Sequence, residues 1–430
     1  MKIHEKKYDY VIVGSGTAGA TLARELGGKN HSILIIEKGT REEKYGSFAD
    51  SLRYFDLHKI THRPIKSKEG LIIYRTIMAG GSGFVSAGNF VRSMEVEFKD
   101  LGIDLTEEFV ETEKELKVAP IHEDLISDGG WAIAEAANDL GYNMKLMPKA
   151  ISPGKCIKCG NCTLGCTTGA KWTPLVYLEE ALERGVEIMY NASAEKVFEE
   201  KGTAKGVVVH KGRKEILVRA GKVIISAGGI GTPLILQRSG IWNAGSSLFV
   251  DTFVMVYGMH NELSLAREPQ MSMVCTRFYN SDGFILSPHV SHPRLLKYIE
   301  AGTVGFMMDD SRTLGIMTKI RDENLGRIYP NGRILKTVTR RDRGKIIKGT
   351  DLAVEILLKT GVKPRTLVKT NPAGAHPGGT AAMGEIVDYN FETKISNLFV
   401  CDASVFPKSP GLPPMETIMA LAKKLAKKIG

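Results

Sequence analysis

The sequence predicts an α/β fold, and three consecutive observations near its N-terminus support that prediction. Residues 10–13 form a short, mostly β-branched apolar run, which is typical of a buried strand. A glycine-rich segment from Gly14 to Gly19 follows with G-x-G-x-x-G spacing, and residues 18–26 then carry a helical pattern. A second apolar run at residues 32–36 returns as a strand that ends in Glu37. This order is typical of a Rossmann-type dinucleotide-binding unit.

Each glycine of that segment has a mechanical role in such a unit. Gly14 makes the tight turn, Gly16 lets the backbone approach a pyrophosphate, and Gly19 lets the helix pack closely on the strand. The helix N-terminus adds unpaired N–H groups and a positive dipole end for the anion. Glu37 lies where a carboxylate accepts hydrogen bonds from a ribose diol. We therefore expect a dinucleotide here, and this stretch alone leaves both NAD and FAD open.

A further glycine-rich segment favours FAD, and a second strand–glycine–helix unit follows later in the chain. The run Gly80-Gly81-Ser82-Gly83 forms a loop whose N–H groups can face an anion or a flavin ring. In a chain that already binds a nucleotide, this second loop favours the larger cofactor. Residues 222–229 then predict a buried strand running into glycines, followed by a helix capped by Thr232 with Pro233 in its first turn.

Length and composition indicate an ordinary globular protein. The 430 residues suggest two or three domains, with 43% hydrophobic and 25% charged residues. No apolar run approaches the roughly 20 residues of a membrane span, and the polar residues 1–7 do not resemble a signal peptide, so we expect a cytoplasmic protein. The net charge of +10 is spread along the chain, and no basic stretch is interleaved with aromatic residues. Both features argue against nucleic-acid binding. A solvated basic face or an acidic protein partner remains open.

Four of the six cysteines lie within eleven residues: Cys156, Cys159, Cys162 and Cys166. In a cytosolic protein this crowding indicates a metal site rather than disulfides. The C-x2-C-x2-C-x3-C spacing matches the bacterial ferredoxin run, so we favour an iron–sulfur cluster of the [4Fe–4S] type over zinc or redox thiols. Thr167 stands where ferredoxins have proline, so the fourth ligand is Cys166 or a remote residue, with Cys275 and Cys401 the other cysteines.

Three stretches resemble the glucose–methanol–choline (GMC) family of FAD-dependent oxidoreductases: GGSGFVSAGNFVR, NCTLGCTTGAK and HPGGTAAMG. The first two are most similar to the sugar and gluconate dehydrogenases, some of which carry an iron–sulfur cluster at this position. The resemblance implies that His376 is the active-site base and that Asp402 contacts the flavin. One departure is that the family's second polar residue, an Asn or His before the last helix, falls on Pro413 or Pro414, whose side chains can neither donate nor accept.

The resemblance also implies a domain division. A discontinuous FAD-binding domain would contain residues 1–95, 165–245 and 370–430. A smaller sheet-based substrate or cap domain would contain residues 96–164 and 246–369, with the cysteine segment 156–166 at the junction. The predicted cofactor-binding residues are Gly14, Gly16, Thr17, Ala18, Gly19, Glu37, Lys38, Gly80, Gly81, Ser82, Asn89, Ala227, Gly228, Asp402 and Ala403.

Together these features predict an FAD-dependent dehydrogenase that oxidises a CH–OH group of an alcohol, polyol or sugar-type substrate. Hydride would pass to the flavin, and electrons would leave through the cluster to an external acceptor such as an acidic redox protein. Two alternatives stay open. One is a flavin/iron–sulfur reductase acting on an unsaturated or carbonyl substrate, and the other is an electron-transfer subunit without its own substrate site.

Overall fold

Two large β-sheets and their surrounding helices make up residues 2–58 and 64–430, the part of the chain that this computed structural model describes. The α-helices are α1 Thr17–Leu26, α2 Phe48–Ser51, α3 Glu95–Asp100, α4 Thr106–Leu116, α5 Asp128–Asp139, α6 Pro174–Glu183, α7 Gly228–Arg238, α8 Tyr279–Asp282, α9 Arg294–Met307, α10 Arg340–Lys359 and α11 Met415–Ile429. None of these described helices combines the length and apolar character needed to cross a membrane.

The strands vary from two to twelve residues in length. They are β1 Lys2–Ile3, β2 Tyr8–Val13, β3 Ile33–Ile36, β4 Ile72–Ile73, β5 Ala119–Pro120, β6 Lys145–Leu146, β7 Pro148–Lys149, β8 Glu187–Met189, β9 Ala192–Glu200, β10 Thr203–Lys211, β11 Lys214–Ile225, β12 Thr252–Met259, β13 Met273–Val274, β14 Phe284–Pro288, β15 Thr313–Ile320, β16 Arg327–Ile328, β17 Ile334–Leu335, β18 Val368–Lys369, β19 Ala373–Gly374 and β20 Leu398–Val400.

The first sheet has the order β8-β3-β2-β11-β10-β9. β8, β3, β2 and the end of β11 run parallel, and β20 also pairs in parallel with residues 223–225 of β11. The earlier part of β11 pairs antiparallel with β10, which continues to β9. All four residues of β3 are buried, as expected of a parallel strand covered on both faces, and α1 packs against α6 and α11 beside it. The predicted α/β class is confirmed.

The second sheet has the order β14-β15-β12-β19-β4, with β18 also pairing with β12. β14, β15 and β12 are antiparallel neighbours, whereas β19 and β4 pair in parallel. Every residue of β14 and β15 is buried, and α10 packs on both strands. This second sheet agrees with the sheet-based unit expected for the residues between 246 and 369.

Three elements lie differently from the predicted domain division. β4 and β19 belong to the segments assigned to the FAD-binding domain, yet they pair within the second sheet. α4 belongs to the segment assigned to the substrate domain, yet it packs on α11, and its Phe109 is part of the core around the first sheet. The chain therefore passes between the two sheets more often than the predicted segments imply, and the domain boundaries stay a prediction.

Candidate nucleotide cleft and active site

The glycine-rich turn has the geometry that its sequence predicts. Gly14 has φ +99°, and a Cβ atom there would lie 2.4 Å from the carbonyl oxygen of Ser226. A Cβ atom on Gly19 would lie 1.9 Å from the carbonyl oxygen of Gly14, so helix α1 can approach the strand only with glycine at this position. Gly16 is different, because a Cβ atom there would reach nothing closer than 3.9 Å. Its missing side chain therefore leaves room for a ligand at the N-terminus of α1.

A cleft of about 630 Å³ extends from this turn to His376, a volume within the ordinary range of ligand sites. Most of the predicted cofactor residues line it: Gly14, Gly16, Thr17, Ala18, Glu37, Lys38, Gly81, Ser82, Asn89, Ala227, Gly228, Asp402 and Ala403. Gly19 and Gly80 do not line it. Gly19 provides close helix packing, and the amide of Gly80 donates to Ser15 Oγ at 3.3 Å behind the cleft wall.

Glu37 is buried and held by three donors. The backbone N–H and the hydroxyl of Ser15 donate to Oε2 at 2.9 and 2.7 Å, and the backbone N–H of Gly39 donates to Oε1 at 2.7 Å. A carboxylate has about four acceptor positions, so one remains for a group within the cleft. The arrangement fits the ribose-binding role that the sequence predicts for this residue.

Asp402 links the end of the first sheet to helix α7. Its Oδ2 atom accepts from the backbone N–H of Gly228 at 2.8 Å and from the hydroxyl of Thr232 at 2.6 Å. Its Oδ1 atom accepts from the backbone N–H of Ser404 at 2.7 Å. Burial raises the pKa of this carboxyl, while the hydrogen bonds that it accepts lower it. Asp402 thus fixes one side of the cleft.

The predicted start of helix α7 was wrong. The helix begins at Gly228, four residues before the predicted cap Thr232, so Pro233 lies inside the helix. A proline in this position removes the N–H that would bond the carbonyl of Gly229, four residues earlier. The hydroxyl of Thr380 replaces that donor and bonds the Gly229 oxygen at 2.8 Å. Thr380 therefore connects the loop that carries His376 to the helix that borders the cleft.

His376 lies in the cleft wall and contacts a carboxylate that the sequence did not identify. Its Nδ1 atom is 3.0 Å from Oδ2 of the buried Asp251. Burial raises the pKa of the Asp251 carboxyl, but Lys319, His376 and the hydroxyl of Ser409 together outweigh burial and hold the pKa at about 2. An ionised carboxylate can only accept hydrogen bonds, so Nδ1 of His376 carries the proton and Nε2 has a free lone pair.

Lys319 places a buried positive charge beside this pair. Its Nζ atom lies 2.9 Å from Oδ2 of Asp251, the same oxygen that His376 contacts, and its side chain is only 2% exposed. The contact is an ion pair rather than a well-directed hydrogen bond. Burial and Lys319 lower the pKa of His376, and Asp251 opposes them. The net effect keeps the imidazole neutral and able to accept a proton.

A second buried ion pair supports the first one. Lys336 Nζ lies 2.8 Å from Oδ2 of Asp322, and both side chains are at most 1% exposed. The Oδ1 atom of Asp322 accepts from the backbone N–H of Asp251 at 2.8 Å. Asp322 therefore helps to fix Asp251, although Lys336 itself does not line the cleft. Each buried carboxylate has its own lysine, so the charges in this region are balanced.

Pro413 and Pro414 line the cleft immediately before helix α11. The departure from the usual polar residue is therefore at the cleft itself. Around His376, the polar groups come from the second sheet instead, with Lys319 in β15 and Asp251 directly before β12.

The four clustered cysteines line a second, small cavity together with Gly160 and Gly165. Both glycines have positive φ, which folds the loop around this cavity. Backbone N–H groups lower the pKa of Cys166 against the effect of burial. In residues 2–58 and 64–430, however, no group of three or more His, Cys, Asp or Glu side chains is arranged to hold a metal ion. Of the remote cysteines, Cys275 and Cys401 are buried and do not line the cavity.

The cysteine cavity and the large cleft share a wall. Cys162 lines the small cavity, and its neighbours Thr163 and Leu164 in the same helical turn line the cleft. The buried ammonium of Lys171 fixes this wall by donating to the carbonyl oxygens of Cys162 and Phe84, each at 2.8 Å. A group bound by the cysteines would therefore be adjacent to a ligand in the cleft.

Comparison with known proteins identifies the family. Two family models, both described as GMC oxidoreductase, match residues 8–250 and 331–422. An uncharacterized protein of Methanocaldococcus jannaschii is 34% identical over 98% of this chain and all of its own length. A long-chain-alcohol oxidase of Arabidopsis thaliana is 24% identical over 98% of this chain and 68% of its own.

Solved structures of the same fold are similar along nearly the whole chain. Pyridoxine 4-oxidase from Mesorbium loti has a TM-score of 0.74 and 16% identity, covering 98% of this chain and 99% of its own. Formate oxidase from Aspergillus oryzae has a TM-score of 0.75 and 17% identity, covering 98% of both chains. These structures show that the chain shares their overall fold. The chain belongs to the GMC oxidoreductase family.

Proposed function

We propose that this protein is an FAD-dependent dehydrogenase that oxidises a CH–OH group of an alcohol, polyol or sugar-type substrate and passes the electrons to an external acceptor. The observation on which the proposal depends is the 3.0 Å contact between Nδ1 of His376 and the buried carboxylate of Asp251 in the wall of a nucleotide-sized cleft. FAD, when bound, would supply the hydride acceptor. Gly16 at the glycine turn would face its pyrophosphate, and Glu37 would bind its ribose. Asp402 would contact the flavin.

The residues of this chain would supply the proton chemistry. Nε2 of His376 accepts the hydroxyl proton of the substrate as hydride leaves the carbon, so no free alkoxide accumulates. Asp251 keeps the proton on Nδ1 before the reaction and stabilises the imidazolium afterwards. General-base assistance of this kind is typically worth about 10²–10⁴-fold in rate.

Anaerobic titration of the holoenzyme tests this function. Polyols or alcohols should bleach the flavin absorbance without oxygen. The reductase alternative, which the prolines at 413 and 414 keep open, predicts the opposite behaviour, in which only an unsaturated or carbonyl compound reoxidises reduced flavin. A protein that binds FAD but reacts neither with alcohols nor with unsaturated or carbonyl compounds would support the other alternative, an electron-transfer subunit without its own substrate site.

We also propose that Cys156, Cys159, Cys162 and Cys166 bind an iron–sulfur cluster of the [4Fe–4S] type that carries electrons to the acceptor. Their spacing and their common cavity support this assignment, as does the wall shared with the cleft. The side chains would have to converge further than they do here to bind a metal.

Replacing Cys162 with serine should remove the iron while FAD remains bound. The expected result is loss of iron and acid-labile sulfide from anaerobically purified protein, with unchanged flavin content. Cys275→Ser is the matched control, because this thiol is buried elsewhere and donates to the carbonyl of Tyr142. Wild-type protein that contains FAD but no iron or sulfide after anaerobic reconstitution would rule out the cluster.

The pH dependence of turnover should change when Lys319 is replaced. Because Lys319 lowers the pKa of His376, its removal lets the pair of His376 and Asp251 hold a proton more tightly. The acidic limb of the kcat/KM profile should therefore move to higher pH in Lys319→Met, whereas Lys319→Arg should keep the wild-type limb. The limb is measured in a pH profile of kcat/KM with an artificial electron acceptor. An unchanged acidic limb in Lys319→Met would contradict the electrostatic role of Lys319.

Cellular location and electron acceptor remain predictions. The basic net charge of +10 would favour an acidic redox partner, and the sequence predicts a cytoplasmic location. The prediction of an acidic redox partner is tested by the salt dependence of the rate with an acidic electron carrier, because electrostatic association weakens as ionic strength rises.

A further inference from the structure

A cluster of polar side chains in the cleft wall takes no part in the chemistry proposed above: Tyr74, His289, Ser291 and Glu300. They come from three separate elements, since Tyr74 follows β4, His289 and Ser291 follow β14, and Glu300 lies in α9. The carboxylate of Glu300 is at the centre of the cluster. It accepts from the hydroxyl of Ser291 at 2.9 Å and from the hydroxyl of Tyr257 at 2.9 Å, so both of its oxygens have partners.

Two atoms of this cluster have no hydrogen-bond partner within the described residues. They are the hydroxyl oxygen of Tyr74 and Nδ1 of His289, and both are buried. Buried polar atoms are nearly always hydrogen-bonded, because leaving one unpaired is unfavourable. Of the cleft-lining residues, Thr76 Oγ1 also has no such partner and Lys319 Nζ has only its ion pair with Asp251. The two unpaired atoms beside Glu300 indicate a partner that the chain itself does not provide.

The chemistry of the two atoms defines that partner. Burial lowers the pKa of His289 to about 4, so the imidazole is neutral. Its Nε2 atom lies 3.5 Å from the hydroxyl oxygen of Ser291, whose own hydrogen is directed to Glu300, so the tautomer that satisfies this contact has its proton on Nε2 and leaves Nδ1 as an acceptor. The phenol of Tyr74 is a donor. One acceptor and one donor match a hydroxyl group, which can both donate and accept.

We propose that Tyr74 and His289 bind a second hydroxyl group of the substrate, so that the substrate is a polyol or sugar-type compound rather than a simple aliphatic alcohol. This inference rests on the oxidation of a CH–OH group proposed above. Leu296, one turn before Glu300 in the same helix, also lines the cleft. Because the two atoms are shielded, binding of a substrate hydroxyl there would require side chains of the cleft wall, such as Leu296, to change rotamer.

Xylitol and pentan-1-ol, which have the same carbon number, test the proposal with the holoenzyme and an artificial electron acceptor. Wild-type kcat/KM should be higher for xylitol. Tyr74→Phe should lower kcat/KM for xylitol by about tenfold, the effect of one lost hydrogen bond, and leave pentan-1-ol unchanged. Its melting temperature should stay the same or rise, because the variant removes a buried hydroxyl without a partner.

Tyr279→Phe is the matched control. Its hydroxyl donates to the carbonyl of Pro410 at 2.7 Å outside the cleft, so the variant should lose stability but keep the wild-type ratio between the two alcohols. If Tyr74 had only a structural role, Tyr74→Phe would likewise lose stability and keep the wild-type ratio of kcat/KM between the two alcohols. That result, or equal kcat/KM values for both alcohols in the wild type, would overturn the proposal.

Calorimetry with xylitol separates this inference from the proposed function. Binding of xylitol without oxidation, weakened in Tyr74→Phe, would support the hydroxyl site and refute the oxidation. Oxidation of pentan-1-ol without any binding of xylitol would support the oxidation and refute the hydroxyl site. Failure of xylitol to bind at all refutes the hydroxyl site in either case.

Discussion

Asparagine in place of His376 is expected to slow the reduction of bound FAD by substrate about 10²–10⁴-fold. The amide of asparagine can still donate to Asp251, so the buried contact is retained, but no basic nitrogen remains to accept the substrate proton. Rapid-mixing measurement of flavin bleaching under anaerobic conditions gives this rate directly. The FAD content and the melting temperature should stay close to those of the wild type.

His122→Asn is a suitable control for this experiment. His122 is more than half exposed and does not line the cleft, so its replacement should leave the bleaching rate unchanged. If His376→Asn also bleached at the wild-type rate with full FAD content, His376 would not be the base. The proposed chemistry would then need another proton acceptor.

Replacement of Asp251 with asparagine should have an effect of similar size for a different reason. The neutral amide would no longer hold the proton on Nδ1 of His376 or stabilise the imidazolium, and we expect a rate loss of about 10²–10⁴-fold. The same change leaves Lys319 buried without its carboxylate partner. Breaking a buried pair in this way typically costs about 3–5 kcal/mol, so thermal unfolding should occur at a clearly lower temperature.

A double variant separates the two effects. Asp251→Asn combined with Lys319→Met removes the unpaired charge, so the melting temperature should recover while the rate stays low. Recovery of both properties would show that Asp251 acts only on stability. Lys336→Met breaks the neighbouring ion pair with Asp322 outside the cleft. It should lower stability, and any loss of rate would measure how much Asp322 contributes to fixing Asp251.

Local patterns predicted the parts of the site that lie close together in the sequence. The order of strand, glycine turn and helix at residues 10–37 fixes much of its own geometry, because the positive φ of Gly14 and the clash of a Gly19 Cβ atom with the Gly14 carbonyl both lie within the turn. The glycine- and proline-rich surroundings of His376 likewise mark a loop at a functional site. These features need no knowledge of distant residues, and the structure places Gly16, Glu37 and His376 along one cleft.

The partners of His376 could not be predicted in the same way. Asp251 is 125 residues away in sequence, and it reaches His376 through the pairing of β12 with β19. Asp251 also has a positive φ of 52°, which no sequence pattern reveals. Lys319 did leave a usable signal, because it is a charged residue within a strand that is otherwise apolar or small. A lysine in such a buried strand indicates a buried partner.

The error at helix α7 has a similar physical origin. Residues 228–231 are three glycines and one isoleucine, a composition of low helix propensity, so Thr232 was the first residue that could be interpreted as a cap. Tertiary contacts override that propensity. Asp402 bonds the first turn, and Thr380 compensates for the missing N–H of Pro233. Both come from the far end of the chain and so lie outside any local window.

The pairing of β20 with β11 also affects how the protein is made. Strand β20 pairs with β11 in the first sheet, and Asp402 bonds the first turn of α7 at the cleft. The other strands of that sheet, from β2 onward, are synthesised far earlier. During synthesis, the first sheet therefore lacks β20 until residues 398–400 have left the ribosome. A cofactor that depends on Asp402 would therefore bind only after this last segment has been synthesised.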